Sequence, residues 1–142
     1  MTDRAAILNA VLGKPWAAGA RGPEAFDCWH LAVHVQLVLA GRVLPQVVMP
    51  AQPSWAWMID AIERHPERAR WRLVSPDPMG LIRAGDLALA LMARVDRPAH
   101  VGIHLKRERA ILHCDQAYGV VADGVADLRR KGWTRLRFYE PL

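Results

Sequence analysis

A change from helical to strand-like patterning is the feature of this sequence that most constrains its fold. From Gly85 onward the chain consists of short apolar runs separated by turn or charged residues. The runs cover residues 87–92, 101–105, 110–114, 120–122 and 134–139. Such runs predict an antiparallel sheet, whereas earlier apolar residues at helical spacing predict helices near residues 3–12, 27–40 and 55–65. Helices followed by strands predict an α+β fold with a central antiparallel sheet of about five strands.

Length and charge exclude several classes of protein. The chain has 142 residues, a length typical of one domain with its own core, so we interpret residues 1–142 as a single domain. Its 19 basic and 14 acidic residues give a net charge of +5, which favours anionic partners. The basic residues do not form a cluster, and the six tryptophans are not interleaved with them. We therefore expect no nucleic-acid partner.

The sequence lacks the apolar segments that direct a chain to or through a membrane. No stretch approaches the ~20 apolar residues of a membrane span. The N-terminal segment is too short and too interrupted for the apolar core of a signal peptide. We therefore expect a chain that is synthesised in the cytoplasm and reaches any external target by another route.

Cys28 lies at the predicted start of the second helix, directly after Asp27, which is a favoured N-cap residue. Unpaired backbone N–H groups and the positive end of the helix dipole lie at such a position and favour a thiolate. The same N–H groups are suited to bind the oxyanion that forms when the sulfur attacks a carbonyl. Helical spacing places Cys28 on the side of Leu31 and Val35, which predicts that it faces the sheet.

Two histidines of the predicted sheet are candidate partners for this cysteine. His100 begins one strand, and residues 106–109 form a plausible hairpin turn into the next. If Leu105 pairs with Ala110, Gly102 lies opposite His113, and His113 becomes a same-face diagonal neighbour of His100. Gly102 would leave room for the two rings. This geometry predicts His100 as the general base and His113 as the residue that orients it.

Two further residues of the second strand have weaker predicted roles. Asp115 would replace His113 as the orienting group if the register differed. Cys114 faces away from His113 and is interpreted as a buried, inert thiol, although a disulfide with Cys28 is an alternative. A zinc site built from Cys28, His30, His34 and Cys114 is disfavoured, because the spacings match no common zinc pattern. We expect no metal and no cofactor.

These residues resemble the NlpC-type peptidoglycan cysteine peptidases, a papain-like family, and especially their phage-tail-associated members. Four matching segments occur in order: Gly13-Lys14-Pro15-Trp16 with Gly19; Phe26-Asp27-Cys28-Trp29-His30-Leu31; Ala84-Gly85-Asp86-Leu87 with His100-Val101-Gly102-Ile103; and His113 followed by Gly119-Val120-Val121. Together they span residues 13–121. The Asp-Cys pair and the His-Val-Gly-Ile strand are the most specific parts.

The resemblance implies a papain-like fold and a thiol hydrolase that cuts amide bonds in bacterial cell-wall stem peptides, such as the bond from D-glutamate to a diamino acid. It implies Cys28 as nucleophile, His100 as base and His113 as orienting residue. It also implies action on the cell wall, with phage-tail proteins as candidate partners. The residues that we predict to contact the substrate or its oxyanion are Asp27, Trp16, Trp29 and Asp115.

The sequence departs from the family pattern at three positions near the nucleophile. Trp29 and His30 replace the usual Ser-Gly, and Trp16 stands where the family tends to have a tyrosine. An indole N–H donates a hydrogen bond but cannot accept one, so Trp16 cannot fill every role of a tyrosine hydroxyl. The changes leave Cys28, His100 and His113 in place and predict a shift in substrate choice. Two alternatives therefore remain: an amidase or acyltransferase of the same fold with another substrate, and a tail-assembly component with a decayed site.

Overall fold

The structure is a computed structural model that describes residues 3–76 and 80–142. The helices are α1 (Arg4–Val11), α2 (Cys28–Ala40), α3 (Trp55–Arg64), α4 (Gly80–Arg83) and α5 (Val125–Arg130), with a 3₁₀ turn at Pro66–Arg70. The strands are β1 (Trp71–Pro76), β2 (Leu89–Ala93), β3 (His100–Leu105), β4 (Ala110–Asp115), β5 (Gly119–Asp123) and β6 (Arg135–Pro141).

Across the described residues these strands form one antiparallel sheet in the order β1-β6-β2-β3-β4-β5. The predicted α+β class is confirmed, but the sheet has six strands where about five were expected. The additional strand is β1, which lies at the edge and pairs with β6. The predicted hairpin register is also confirmed, since Leu105 pairs with Ala110 and Gly102 with His113.

The two faces of the sheet bury separate apolar clusters. Helices α1, α2 and α3 contribute to the first cluster, which includes Cys28, Val101 and Cys114. The second cluster lies on the other face and includes Met92 and Trp133. Within the described residues, no helix combines the length and apolar character that crossing a membrane requires.

The start of α2 is fixed by local hydrogen bonds. Asp27 caps the helix because its Oδ1 accepts the backbone N–H of His30 at 2.7 Å. The helix ends at Ala40 because Gly41 adopts a left-handed conformation with φ of 65°. Both ends agree with the sequence prediction, and the cap places Cys28 in the first turn.

Candidate active site

Cys28 is the first residue of α2, and its side chain is only 2% exposed. Burial raises the pKa of this thiol to about 12, and the negative charge of Asp27 acts in the same direction. Backbone N–H groups of Val101 and Trp29 favour the thiolate but do not offset the burial. The sequence predicted a stabilised thiolate, whereas the resting protein holds a neutral thiol. The sulfur must therefore lose its proton to a base before it can attack a carbonyl.

His100 and His113 are joined by a hydrogen bond, as the predicted register requires. The Nε2 atom of His100 lies 2.8 Å from Nδ1 of His113. The other ring nitrogen of His113, Nε2, lies 2.8 Å from Oδ2 of Asp123, at the end of β5. Lys131 completes the series, because its Nζ lies 2.7 Å from the same carboxylate oxygen. Asp123 and Lys131 were not identified from the sequence.

This series determines which nitrogen of His100 is available to act as a base. A carboxylate accepts hydrogen bonds, so His113 carries its proton on Nε2 and directs it at Asp123. The Nδ1 atom of His113 is then unprotonated and accepts the N–H of His100 Nε2. The remaining ring nitrogen of His100, Nδ1, therefore has a free lone pair. Lys131 keeps Asp123 ionised by pairing with it, and the pKa of Asp123 is lowered despite its partial burial.

Trp133 covers the His100 ring. The two rings are stacked, with centroids 4.7 Å apart. The indole N–H of Trp133 donates to Oδ2 of Asp115 at 3.3 Å, and Oδ1 of Asp115 accepts the backbone N–H of Ala117 at 2.7 Å. Asp115 therefore holds Trp133 over the histidine, while His113 has the orienting contact with His100. Trp133 was not singled out in the sequence.

Cys28 and His100 belong to opposite faces of the sheet but to the same end of it. The backbone N–H that reaches Cys28 is that of Val101, which directly follows His100. Cys28 packs in the first cluster, whereas His100 stacks on Trp133 of the second. Trp133 also stacks on Trp55 of α3, with centroids 5.9 Å apart. Among the described residues no hydrogen bond joins Cys28 to His100, so the direct contact expected from the sequence is not formed. A reaction between the two groups requires them to approach each other around the start of β3.

Gly102 has a different role from the predicted one. A Cβ atom at this position would lie 2.7 Å from Cγ2 of Ile111, 2.9 Å from Cε of Met92 and 3.0 Å from the backbone oxygen of Leu112. The sequence interpretation was that the missing side chain leaves room for the two histidine rings. The space is instead occupied by apolar side chains of the second cluster.

His30, one of the departures from the family pattern, anchors the nucleophile's helix. Its ring Nδ1 lies 2.9 Å from Oδ2 of Asp27, and its Nε2 accepts the backbone N–H of Val47 at 3.3 Å. The same Asp27 oxygen accepts the N–H of Gly19 at 3.0 Å. Asp27 is fully buried, so its carboxylate is used for these internal contacts. The pair fixes the start of α2 against the loops on both sides.

The two tryptophans near the nucleophile are held in different ways. The indole N–H of Trp29 donates to the backbone oxygen of Pro45 at 2.8 Å, which turns the ring toward the loop before α3. Trp16 is partly buried against the first cluster, and its backbone pairs with that of Phe26. Both residues therefore shape the surroundings of Cys28.

Cys114 is buried in the core, and three side chains of metal-ligating type come together at the two histidines. Cys114 is a free, fully buried thiol that donates to the backbone oxygen of Phe26 at 3.2 Å. Burial raises its pKa to about 12. One ligand atom each from His100, His113 and Asp115 lies within 4.8 Å of the others. Because the two histidines are hydrogen-bonded to each other and His113 also binds Asp123, these side chains already have partners within the protein.

The buried histidines predict that acid destabilises the protein. Burial lowers the pKa of His100 well below its ordinary value of 6.5, and the charges of His113 and Arg94 add to this. The unfolded chain therefore binds a proton that the folded chain excludes. The stability that neutral His100 contributes should be fully present above about pH 6.5, the ordinary pKa of histidine, and should be lost progressively below it. The total loss is about 1.4 kcal/mol for each unit by which the folded-state pKa lies below the unfolded-state pKa.

Urea unfolding at about pH 7.5 and about pH 5 would measure this loss. The variant His100→Gln should show a shallower loss of stability between the two pH values. Some loss should remain, because burial also lowers the pKa of His34, His104 and His113. The same pH dependence in the variant and the unchanged protein would show that His100 is not held neutral by the fold.

Comparison with known proteins supports the fold. No family model matches the sequence, and no curated protein matches it either. A solved structure, the crystal structure of the NlpC/p60 domain of peptidoglycan hydrolase SagA, matches with a TM-score of 0.57 and 17% sequence identity. The match covers 97% of this chain and 95% of that one. The chain therefore has a mixed helix and antiparallel-sheet architecture that matches the papain-like NlpC/p60 fold.

Proposed function

We propose that this protein is a thiol hydrolase that cleaves amide bonds in bacterial cell-wall stem peptides. The observation that carries the proposal is the hydrogen-bonded series Asp123–His113–His100. It leaves an unprotonated ring nitrogen on His100, next in sequence to Val101, whose backbone N–H reaches Cys28. A cysteine at a helix N-terminus and an oriented imidazole are the groups that nucleophilic amide hydrolysis requires.

The reaction follows from these groups. His100 Nδ1 removes the proton of Cys28 as the sulfur attacks the substrate carbonyl, and a C–S bond forms. Backbone N–H groups in the first turn of α2 stabilise the oxyanion. The C–N bond then breaks as His100 returns the proton to the leaving amine. Water, deprotonated by His100, attacks the resulting thioester, releases the carboxylic acid and restores the thiol.

The substrate class is supported by the solved neighbour, which is a domain of a peptidoglycan hydrolase. Stem peptides carry free carboxylates, and a net charge of +5 favours them. The bond from D-glutamate to a diamino acid is the first candidate. We further propose that the protein acts at the cell wall and that phage-tail proteins are candidate partners.

Digestion of purified peptidoglycan tests the proposal. We expect new free amines, and mass spectrometry of the released fragments should identify one cleaved bond. The variant Cys28→Ala should release none. If the unchanged protein releases no more amines than Cys28→Ala does, the decayed tail component becomes the better interpretation.

A second candidate function has the same chemistry and a different substrate. An amidase or acyltransferase acting on an apolar acyl group is favoured by one observation, an apolar cavity that has Cys28 in its wall. Product analysis with and without an added amine acceptor would separate acyl transfer from hydrolysis.

A further inference from the structure

Arg94 directly follows β2 and lies over two aromatic rings at the end of the sheet where His100 begins β3. Its guanidinium carbon is 4.5 Å from the centroid of the Trp133 ring and 5.2 Å from that of Trp55. Trp133 is the ring that stacks on His100. Burial is the main cause of the lowered pKa of His100, and the positive charge of Arg94 contributes to it. Arg94 is therefore a neighbour of the candidate base.

The side chain of Arg94 is fixed by its surroundings as well as by the two rings. A Cβ atom at Gly132 would lie 3.3 Å from Nε and 3.5 Å from Cδ of Arg94, so the missing side chain of Gly132 leaves the space that Arg94 uses. The hydroxyl of Thr134 donates to the backbone oxygen of Arg94 at 3.1 Å. Contacts between a guanidinium and ring faces restrict a long side chain that otherwise has many rotamers. The arginine is thus held in one place before any ligand binds.

Arg94 differs from its neighbouring arginines because its charge is not paired. Arg97 binds Glu63 with a shortest N–O distance of 2.6 Å, and Arg135, which follows the next strand of the sheet, binds Asp96 at 3.0 Å. Within residues 3–76 and 80–142, Arg94 forms no ion pair and no side-chain hydrogen bond, and its side chain is exposed. An exposed, fixed guanidinium without a carboxylate partner is suited to bind an anion, since it presents several N–H donors together with a positive charge.

We propose that Arg94 binds a free carboxylate of the substrate, so that the protein prefers stem peptides whose carboxylates are free to those in which they are amidated. This inference rests on the thiol chemistry and the substrate class proposed above, and it adds a residue that determines specificity. The nearby Lys131 does not compete for this role, because its Nζ already pairs with Asp123. A carboxylate bound to Arg94 would also hold the peptide beside His100, the group that returns a proton to the leaving amine.

Two parts of the substrate can supply the carboxylate, the glutamyl residue and a diamino acid that carries a second carboxylate. Three synthetic stem peptides distinguish them: one with both carboxylates free, one with the glutamyl carboxylate amidated, and one with the second carboxylate of the diamino acid amidated. For the unchanged protein, amidation of the bound carboxylate should lower kcat/KM by about five- to tenfold. The peptide that loses this rate identifies the source.

The variant Arg94→Gln should reduce this preference to a ratio near one. Any effect of the substitution on His100 or Trp133 applies to all three peptides and cancels in the ratio. Raising the salt concentration should weaken the preference of the unchanged protein, because exposed charges are screened. Arg135→Gln is the matched control: it removes a charge that Asp96 already neutralises, and it should retain the preference. Equal kcat/KM for the three peptides in the unchanged protein, or the same preference in Arg94→Gln, would overturn the role of Arg94.

Calorimetric titration of Cys28→Ala protein with the same peptides separates this inference from the proposed hydrolysis. The free peptide should bind about five- to tenfold more tightly than the peptide that lacks the bound carboxylate, and adding Arg94→Gln to the variant should remove the difference. This result, together with no cleavage of any peptide by the unchanged protein, would support the carboxylate site and contradict the hydrolase. Cleavage of all three peptides at equal rates would support the hydrolase and contradict the carboxylate site.

Discussion

Replacing Cys28 by alanine is expected to reduce amide hydrolysis to the uncatalysed background. In the proposed mechanism this sulfur forms the covalent bond to the substrate. Removal of the nucleophile lowers kcat by roughly a millionfold in a well-studied hydrolase with a covalent intermediate. The measurement is the rate of amine release from peptidoglycan by the variant and the unchanged protein under the same conditions. Thermal unfolding of the variant would confirm that it is folded.

The second cysteine provides the matched control. Cys114 is equally buried and has a similarly raised pKa, but its thiol donates to the backbone oxygen of Phe26 within the first cluster. Cys114→Ser keeps a donor for this contact and should keep activity within a few-fold of the unchanged protein. Equal activity in Cys28→Ala and Cys114→Ser would refute the assignment of the nucleophile.

The parts of the site that depend on neighbouring residues were predictable from the sequence. The Asp27 cap and Gly41 define α2, and a four-residue turn fixes the hairpin that joins His100 to His113. In each case a few consecutive residues carry the signal, because capping and tight turns depend on local hydrogen bonds. These local signals were therefore enough to predict that Cys28 lies at the start of α2 and that His100 and His113 lie on paired strands.

The parts that depend on tertiary contacts were not predictable in the same way. β1 follows an arginine-rich segment that resembles a continued helix, and its pairing with β6 joins positions about half the chain apart. Asp123 was missed because the predicted strand ended at residue 122. One more residue would have placed Asp123 opposite Ile111 and diagonal to His113. Trp133 offered no sequence signal, since it reaches His100 from the segment between α5 and β6.

The burial of Cys28 shows why position in a helix was an incomplete guide to its chemistry. The helix N-terminus favours a thiolate, but exclusion of water from the thiol has the larger effect, and the pKa rises to about 12. The proposed catalysis therefore depends on a base that removes the proton during attack. That dependence makes His100 more important than it would be beside a thiol that is already ionised.

Replacing His100 by alanine is accordingly expected to lower the hydrolysis rate by about 10²–10⁴ near neutral pH, the usual contribution of a general base. The pH profile should change as well. The unchanged protein should reach a plateau once His100 is neutral, whereas the variant's residual rate should rise about tenfold per pH unit, because only the thiolate fraction reacts. This rise should continue through the measurable range, since the thiol's pKa is about 12.

His104→Gln is the matched control for this variant, because His104 lies on the same strand and the same face. Its Nδ1 is bonded to the backbone oxygen of Gly85 at 2.9 Å, away from Cys28. We expect a rate within a few-fold of the unchanged protein and the same plateau. If His100→Ala instead keeps more than about a tenth of the activity with an unaltered pH profile, His100 is not the base. The Asp123–His113 series would then stabilise only the sheet, and the proton of Cys28 would have to leave by another route.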